Sequence, residues 1–182
     1  MRYPEGHKEA TRASIVKNAA KALRRDGLTG VSIPALMKKA GLTHGGFYSH
    51  FKSRDELVAA AVLRAADETG ASVLSKEAGD LRATMEAYLS KEHVEHPERG
   101  CVLAALGSEG RRQKAPVRRA FAHAARGFLR LIENKVQNAP PLGSLSDEAM
   151  RIAAQMVGSV VLARLVDDEE LAHRILNAAK HG

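Results

Sequence analysis

The chain has 182 residues and a net charge of +7, and it is 45% hydrophobic, 27% charged and 4% aromatic, with no tryptophan. That length holds one substantial core or a small domain joined to a larger one, and so few aromatics favour an all-α protein over a β-sandwich. No run approaches the ~20 apolar residues that span a bilayer, the start Met1-Arg2-Tyr3-Pro4 lacks the apolar core of a signal peptide, and a lone Cys101 makes no internal disulfide; we expect a soluble, cytoplasmic protein without a membrane partner.

In chain order, the first helix reads from about Lys8 to Asp26, with Ile15, Ala19, Ala22 and Leu23 on one face and Lys17, Lys21, Arg24 and Arg25 opposite. Gly27 suits its C-terminal cap. Ser32 is an N-cap for a short second helix, because Pro34 falls in the first turn, where a missing N–H matters little. That helix stops at Ala40-Gly41, and Thr43 caps a third helix over His44-Gly45-Gly46-Phe47-Tyr48-Ser49-His50. Two short helices about a glycine-containing turn form a helix-turn-helix pattern. Ser53-Arg54-Asp55-Glu56 is a capping box, with Ser53 bonding the backbone at Glu56 and Glu56 reaching back to Ser53, ahead of a long fourth helix. Through Leu57 there are 11 Lys/Arg against 5 Asp/Glu; from Val58 onward there are 17 against 16. The excess therefore points to the first third as the part that alone meets a polyanion.

A fifth helix is expected around Asp80 to Lys91, then a polar, solvated break over His93 to Gly100, and a short apolar helix from Cys101 to about Gly110. A seventh runs from Pro116 to about Asn138, an eighth from near Ser146 to Val166, and a ninth from about Glu169 to Lys180, for about nine helices in all. The eighth is apolar in nearly every direction around its axis, through Met150, Ile152, Met156, Val157, Val160, Val161, Leu162 and Leu165. One monomer core covers part of it, and a second copy would cover the rest, so a homodimer through the eighth and ninth helices is expected. A central helix of a monomeric bundle is the alternative.

The run Val31 to Leu57, above all "AGLTHGGFYSHFKSRDEL", resembles the DNA-binding region of the TetR/AcrR family of transcriptional regulators. With the first helix, the resemblance covers about a third of the chain. It implies a three-helix helix-turn-helix domain over residues 1–52 and a helical dimerisation and ligand-sensing domain over 53–182. It implies a near-palindromic DNA operator as partner and a repressor released by a small molecule or by an electrophile or oxidant. It also implies that Tyr48, His50, Lys52 and Arg54 hold phosphates, as do Ser32 and Thr43 at helix starts. Base reading then falls to Thr43, His44 and Ser49, with close backbone approach at Gly45 and Gly46. Two adjacent glycines are costly in a helix, about 1 kcal/mol each against alanine; tight packing against the second helix explains them equally well. Phe47, Phe51, Leu36, Met37 and Leu57 are expected to be core.

Met85, Tyr88, Leu103, Phe121, Phe128 and Met156 form a candidate effector pocket, to which Cys101 belongs; a dry core explains the same residues. Cys101 at a helix start is a candidate sensing thiol or a small buried hydrophobe. His93, His96 and Cys101, with Glu92 and Glu95, have a spacing that is weak evidence for metal, and none is expected. No Gly-rich phosphate loop, nucleophile elbow or Ser/His/Asp set occurs, so no enzyme activity and no cofactor are expected. A small helical enzyme or carrier with a basic start, and a sequence-tolerant architectural DNA protein, are the competing readings.

Overall fold

Why the chain starts and stops its helices where it does is mostly local chemistry. In the computed structural model, which describes residues 6–73, 80–137 and 144–181, side-chain oxygens of Ser32, Thr43, Asp80, Ser90 and Ser146 each accept the backbone N–H three residues on. Each such cap satisfies a donor that a helix start otherwise leaves unpaired. The α-helices are α1 (His7–Asp26), α2 (Ile33–Lys39), α3 (Arg54–Val73), α4 (Leu81–Tyr88), α5 (Lys91–Glu95), α6 (Val102–Gly110), α7 (Ala115–Gln137), α8 (Asp147–Leu165) and α9 (Glu169–His181). Two 3-10 segments, His44–Ser49 and Pro97–Arg99, complete the described residues, among which there is no strand.

Four local expectations need correction. The third helix is a 3-10 turn rather than an α-helix. Its two glycines have little α-propensity, and the Ser49 hydroxyl takes the Gly46 carbonyl at 2.7 Å. In the capping box, Ser53 accepts the Glu56 N–H at 3.2 Å, but the Glu56 carboxylate reaches past Ser53 to the Lys52 N–H at 2.8 Å. The fifth helix stops at Tyr88 because Ser90 caps a separate helix, α5, and the expected solvated break is therefore a pair of short helical segments. Finally, Arg24 does not lie on the exposed face of α1. It is 3% exposed, because its guanidinium meets the Glu68 carboxylate at 2.6 Å and the Gly100 carbonyl at 3.0 Å.

Burial falls into two clusters. One joins Ile15, Ala19 and Leu23 of α1 with Leu36 and Met37 of α2, Phe47 and Phe51, the Leu57, Val58 and Val62 side of α3, and Val102, Leu106 and Phe121 of α6 and α7. The other joins Tyr88, Cys101, Phe128, Ile132, Ile152, Met156, Val160 and Leu176. The long helix α3 lies against both α1 and α7, so the N-terminal helices are seated on the rest of the protein by a shared core rather than a flexible tether. Inside the second region, the buried Glu133 carboxylate accepts the Ser146 N–H at 2.9 Å and the Ser146 hydroxyl at 2.7 Å, tying α7 to the start of α8. Ile152, Ala153, Met156, Val160 and Ala163 of α8 face inward, whereas Met150, Leu162 and Leu165 lie in solvent, Leu165 at 75% exposure. No helix among the described residues is long and apolar enough to cross a membrane.

Candidate nucleic-acid interface

The 3-10 turn is held from beneath by aromatic packing. Phe47 and Phe51 are each 1% exposed and stack with ring centroids 5.5 Å apart. Arg12 of α1 lies over the Phe51 ring at 4.8 Å and also donates to the His50 carbonyl and to Glu56. A side chain at every third position of a 3-10 turn shares a face, so burying Phe47 turns the next position outward. Tyr48 is accordingly 69% exposed, braced edge-on against Phe47 with centroids 5.3 Å apart. Thr43, Gly45 and Ser49 are exposed beside it. His44 begins the turn.

The glycines answer the question their sequence left open. A Cβ built on Gly45 meets nothing within 4 Å, and one on Gly46 makes only ordinary contacts of 3.7 Å and longer with Thr43, Met37 and Leu42. Neither has a left-handed backbone, since the positive-φ glycines are Gly6, Gly27 and Gly41. The fold itself therefore does not require glycine at either place, and tight packing against α2 does not explain them.

The surrounding polar groups divide. Ser32 and Lys52 are exposed, with the Lys52 N–H held by Glu56. His50 is half-buried and its Nδ1 is enclosed without a hydrogen-bond partner. Burial pushes its imidazole below the usual range, and the nearby cations Lys8 and Arg12 push the same way. One guanidinium N–H of Arg54 goes to the Leu28 carbonyl, which ties α3 to the turn after α1. The residues sequence reasoning missed are therefore Arg12 and Arg24, which position the turn and its helix through partners 38 to 76 residues away.

The candidate pocket residues do not meet in one place. Cys101, Leu103 and Phe128 line a cavity of about 490 Å³ between α3, α6 and α7, with Thr69, His123 and Arg130. Leu103, Phe121 and Phe128 also line a more open cavity of about 650 Å³ between α6, α7 and α8. Met85 faces a separate recess of about 420 Å³ beside Val136, while Met156 is fully buried and lines none of these cavities. Tyr88 and Cys101 border a small cavity of about 140 Å³ beside His93. His93 uses both ring nitrogens inside the fold: Nε2 accepts the Cys101 N–H at 2.8 Å, which leaves Nδ1 to donate to the Tyr88 carbonyl at 2.7 Å. Burial holds this imidazole down to about 4. The Tyr88 hydroxyl and Arg164 Nη1 nearby are buried without hydrogen-bond partners.

Comparison with known proteins adds to this geometry. The family model described as bacterial regulatory proteins, tetR family, matches residues 15–61, and a tetracyclin repressor-like C-terminal domain matches residues 78–179. No curated protein matches the chain. Among solved structures, the reduced form of E. coli NemR is similar at 20% identity and TM-score 0.74, covering 94% of each chain. A TetR-family transcriptional regulator from Agrobacterium tumefaciens is similar at 18% identity and TM-score 0.77, covering 96% of this chain and 98% of its own. AibR, seen with isovaleryl coenzyme A and operator DNA, is similar at 15% identity and TM-score 0.64, covering 93% and 96%.

Proposed function

This chain belongs to the TetR family of bacterial regulatory proteins, and from that membership we propose a homodimeric repressor that grips a near-palindromic operator and releases it when a signal acts on its C-terminal part. The chain is a DNA-binding transcriptional regulator of that family, and this supports the reading that it is no enzyme and that it works in the cytoplasm, beside the bacterial chromosome. The observation that carries the reading is the exposed Tyr48, braced on Phe47 beside Ser49 and a Gly45 whose Cβ position is open.

In this reading residues 1–52 form the DNA-binding head and 53–182 the sensing and dimerising part. Thr43, His44 and Ser49 face bases, and Gly45 and Gly46 let the backbone approach the groove. Tyr48, Lys52, Ser32 and His50 meet phosphates, which set register and affinity rather than sequence. Arg54 meets phosphate as well, from a guanidinium anchored on the Leu28 carbonyl. The outward Met150, Leu162 and Leu165 of α8, continued by Leu171 of α9, supply the apolar surface for a two-fold interface.

For the signal, the cavity of about 490 Å³ is of a size that takes a small organic molecule. Cys101 on its wall would offer a thiol to an electrophile or oxidant that entered. AibR was seen with an acyl-coenzyme A and DNA, and NemR in a reduced form, so relatives of this fold offer both kinds of precedent. A coupling of about 1 to 3 kcal/mol between signal and operator would lower affinity roughly 5- to 150-fold.

The test is selection of bound duplexes from genomic DNA, followed by titration of the recovered sequence. Tyr48→Phe combined with Lys52→Ala should abolish selective binding while the protein stays folded. Binding with little preference over random DNA would instead favour an architectural protein. No selected duplex at all would overturn the regulator reading.

A further inference from the structure

The near balance of charge after Val58 is an average over unlike stretches. Between Gly110 and Ile132 the chain carries seven Lys/Arg and no Asp/Glu, and all seven side chains are exposed. Acid is concentrated elsewhere, as in Asp167-Asp168-Glu169-Glu170. Of the seven, only Lys114 makes an ion pair among the described residues, with Asp55 at 3.4 Å. Arg111, Arg112, Arg118 and Arg119 have no such partner among them. Like charges this close on a helix and its preceding turn oppose folding mildly, so the fold does not explain the cluster.

Its position is informative. The Glu109 carboxylate accepts the Leu28 N–H at 3.2 Å, joining the end of α6 to the turn after α1. Lys114 reaches Asp55 in the first turn of α3, three residues beyond Lys52. From there α7 runs alongside α3 and away from the head, since the cavity between them sets Ala66 to Ala71 against His123 to Asn134. The corner formed by Arg111, Arg112, Lys114 and Arg118 is thus the end of the C-terminal part nearest the head. Arg126 lies about 12 Å beyond Arg118 along α7 at 1.5 Å per residue, more than a Debye length of about 8 to 10 Å.

We propose that this corner is a second phosphate-binding surface, which takes the duplex backbone next to the segment the head grips. The proposal rests on the head binding DNA as set out above. Charge complementarity and continuity with the Lys52 edge single out the same duplex as its occupant. The corner adds affinity and salt dependence without reading bases, because it offers only cations to a uniformly charged backbone.

The experiment compares wild type with Arg111→Gln/Arg112→Gln/Lys114→Gln on the selected operator with flanking duplex, across a salt series. Each phosphate contact contributes about 0.9 to the slope of log K against log salt. Losing two contacts per dimer would flatten the slope by about 1.8 and weaken binding by at least tenfold near 0.1 M salt. The preferred sequence should not change, and trimming the flanks should weaken wild type more than the variant. Arg126→Gln should bind like wild type. Arg112→Gln alone, which leaves the Lys114–Asp55 pair intact, gives a smaller flattening and covers the case in which the triple variant unfolds. Wild-type slopes in both variants would overturn the proposal, as would binding of the corner to an acidic protein or anionic vesicles with the DNA slope unmoved. Failure of wild type to bind any duplex would instead strike at the regulator reading.

Discussion

Replacing Arg24 by methionine keeps most of the aliphatic stem but removes a guanidinium that joins three parts of the molecule. Its side chain is 1% exposed and its Glu68 partner 23%. Breaking a buried pair by deleting one member costs about 3 to 5 kcal/mol. Here Glu68 is partly solvated and keeps Arg64 at 2.9 Å, which places the electrostatic loss below that range. The Gly100 carbonyl loses its donor at 3.0 Å and keeps only the Thr69 hydroxyl at 3.4 Å, which adds about 1 kcal/mol for an acceptor left poorly satisfied. Together these give a destabilisation of about 3 kcal/mol, measured by urea unfolding at one fixed protein concentration so that dimerisation does not shift the midpoint. Arg25→Met is the internal control, since among the described residues Arg25 pairs with its neighbour Asp26 at the surface and should change little. If Arg24→Met unfolded no earlier than Arg25→Met, the junction would not hold the head to the rest of the protein. A Glu68→Gln cycle would separate the pair from the carbonyl bond. The hydrogen bonds from Arg64 and Arg24 outweigh burial and hold the Glu68 carboxyl below its usual value, so its stabilisation exists above about pH 4.5 and is lost as pH falls through the folded value.

Three further outcomes follow from the geometry. His93 sits at about 4 when folded against about 6.5 in an unfolded chain, so the unfolded state binds the proton in between and stability should fall as pH drops from about 6.5 toward 4. The full effect is at most about 3 kcal/mol; His93→Gln should flatten the stability profile between pH 6.5 and 5, leaving the part due to His50, and an unchanged slope would contradict the buried neutral imidazole. Gly45→Ala should hold or raise the melting temperature, because its Cβ enters open space and alanine favours the helical turn, yet weaken operator binding. A marked loss of stability there would return the glycine to a packing role. Leu162→Glu with Leu165→Glu should convert dimer to monomer by light scattering, since both side chains are exposed on one face of α8; a dimer that persisted would move the interface elsewhere.

Helix starts were legible in the sequence wherever the signal spans one turn. Ser32 and Thr43 cap as their spacing predicts, because the oxygen and the N–H it satisfies are three residues apart, and the helices expected to start near Asp80 and Ser146 do so with those side chains as caps. The helix-turn-helix was legible for the same reason, together with its buried Phe47 and Phe51. What the pattern misread were choices made by distant partners. Arg24 looks like its exposed neighbours Lys21 and Arg25 until Gly100 and Glu68 are folded onto it. His93 looks solvated until Tyr88 and Cys101 enclose it.

Caps, periodicity and glycine propensity act over three or four residues, and they suffice to specify an all-helical chain with a basic helix-turn-helix. That the candidate pocket residues divide among separate cavities, and that the cations of the α6–α7 corner lie beside the first turn of α3, emerges only on folding. Those outcomes depend on how α3 packs against α7, and a contact between residues so far apart in the chain leaves no local pattern to read.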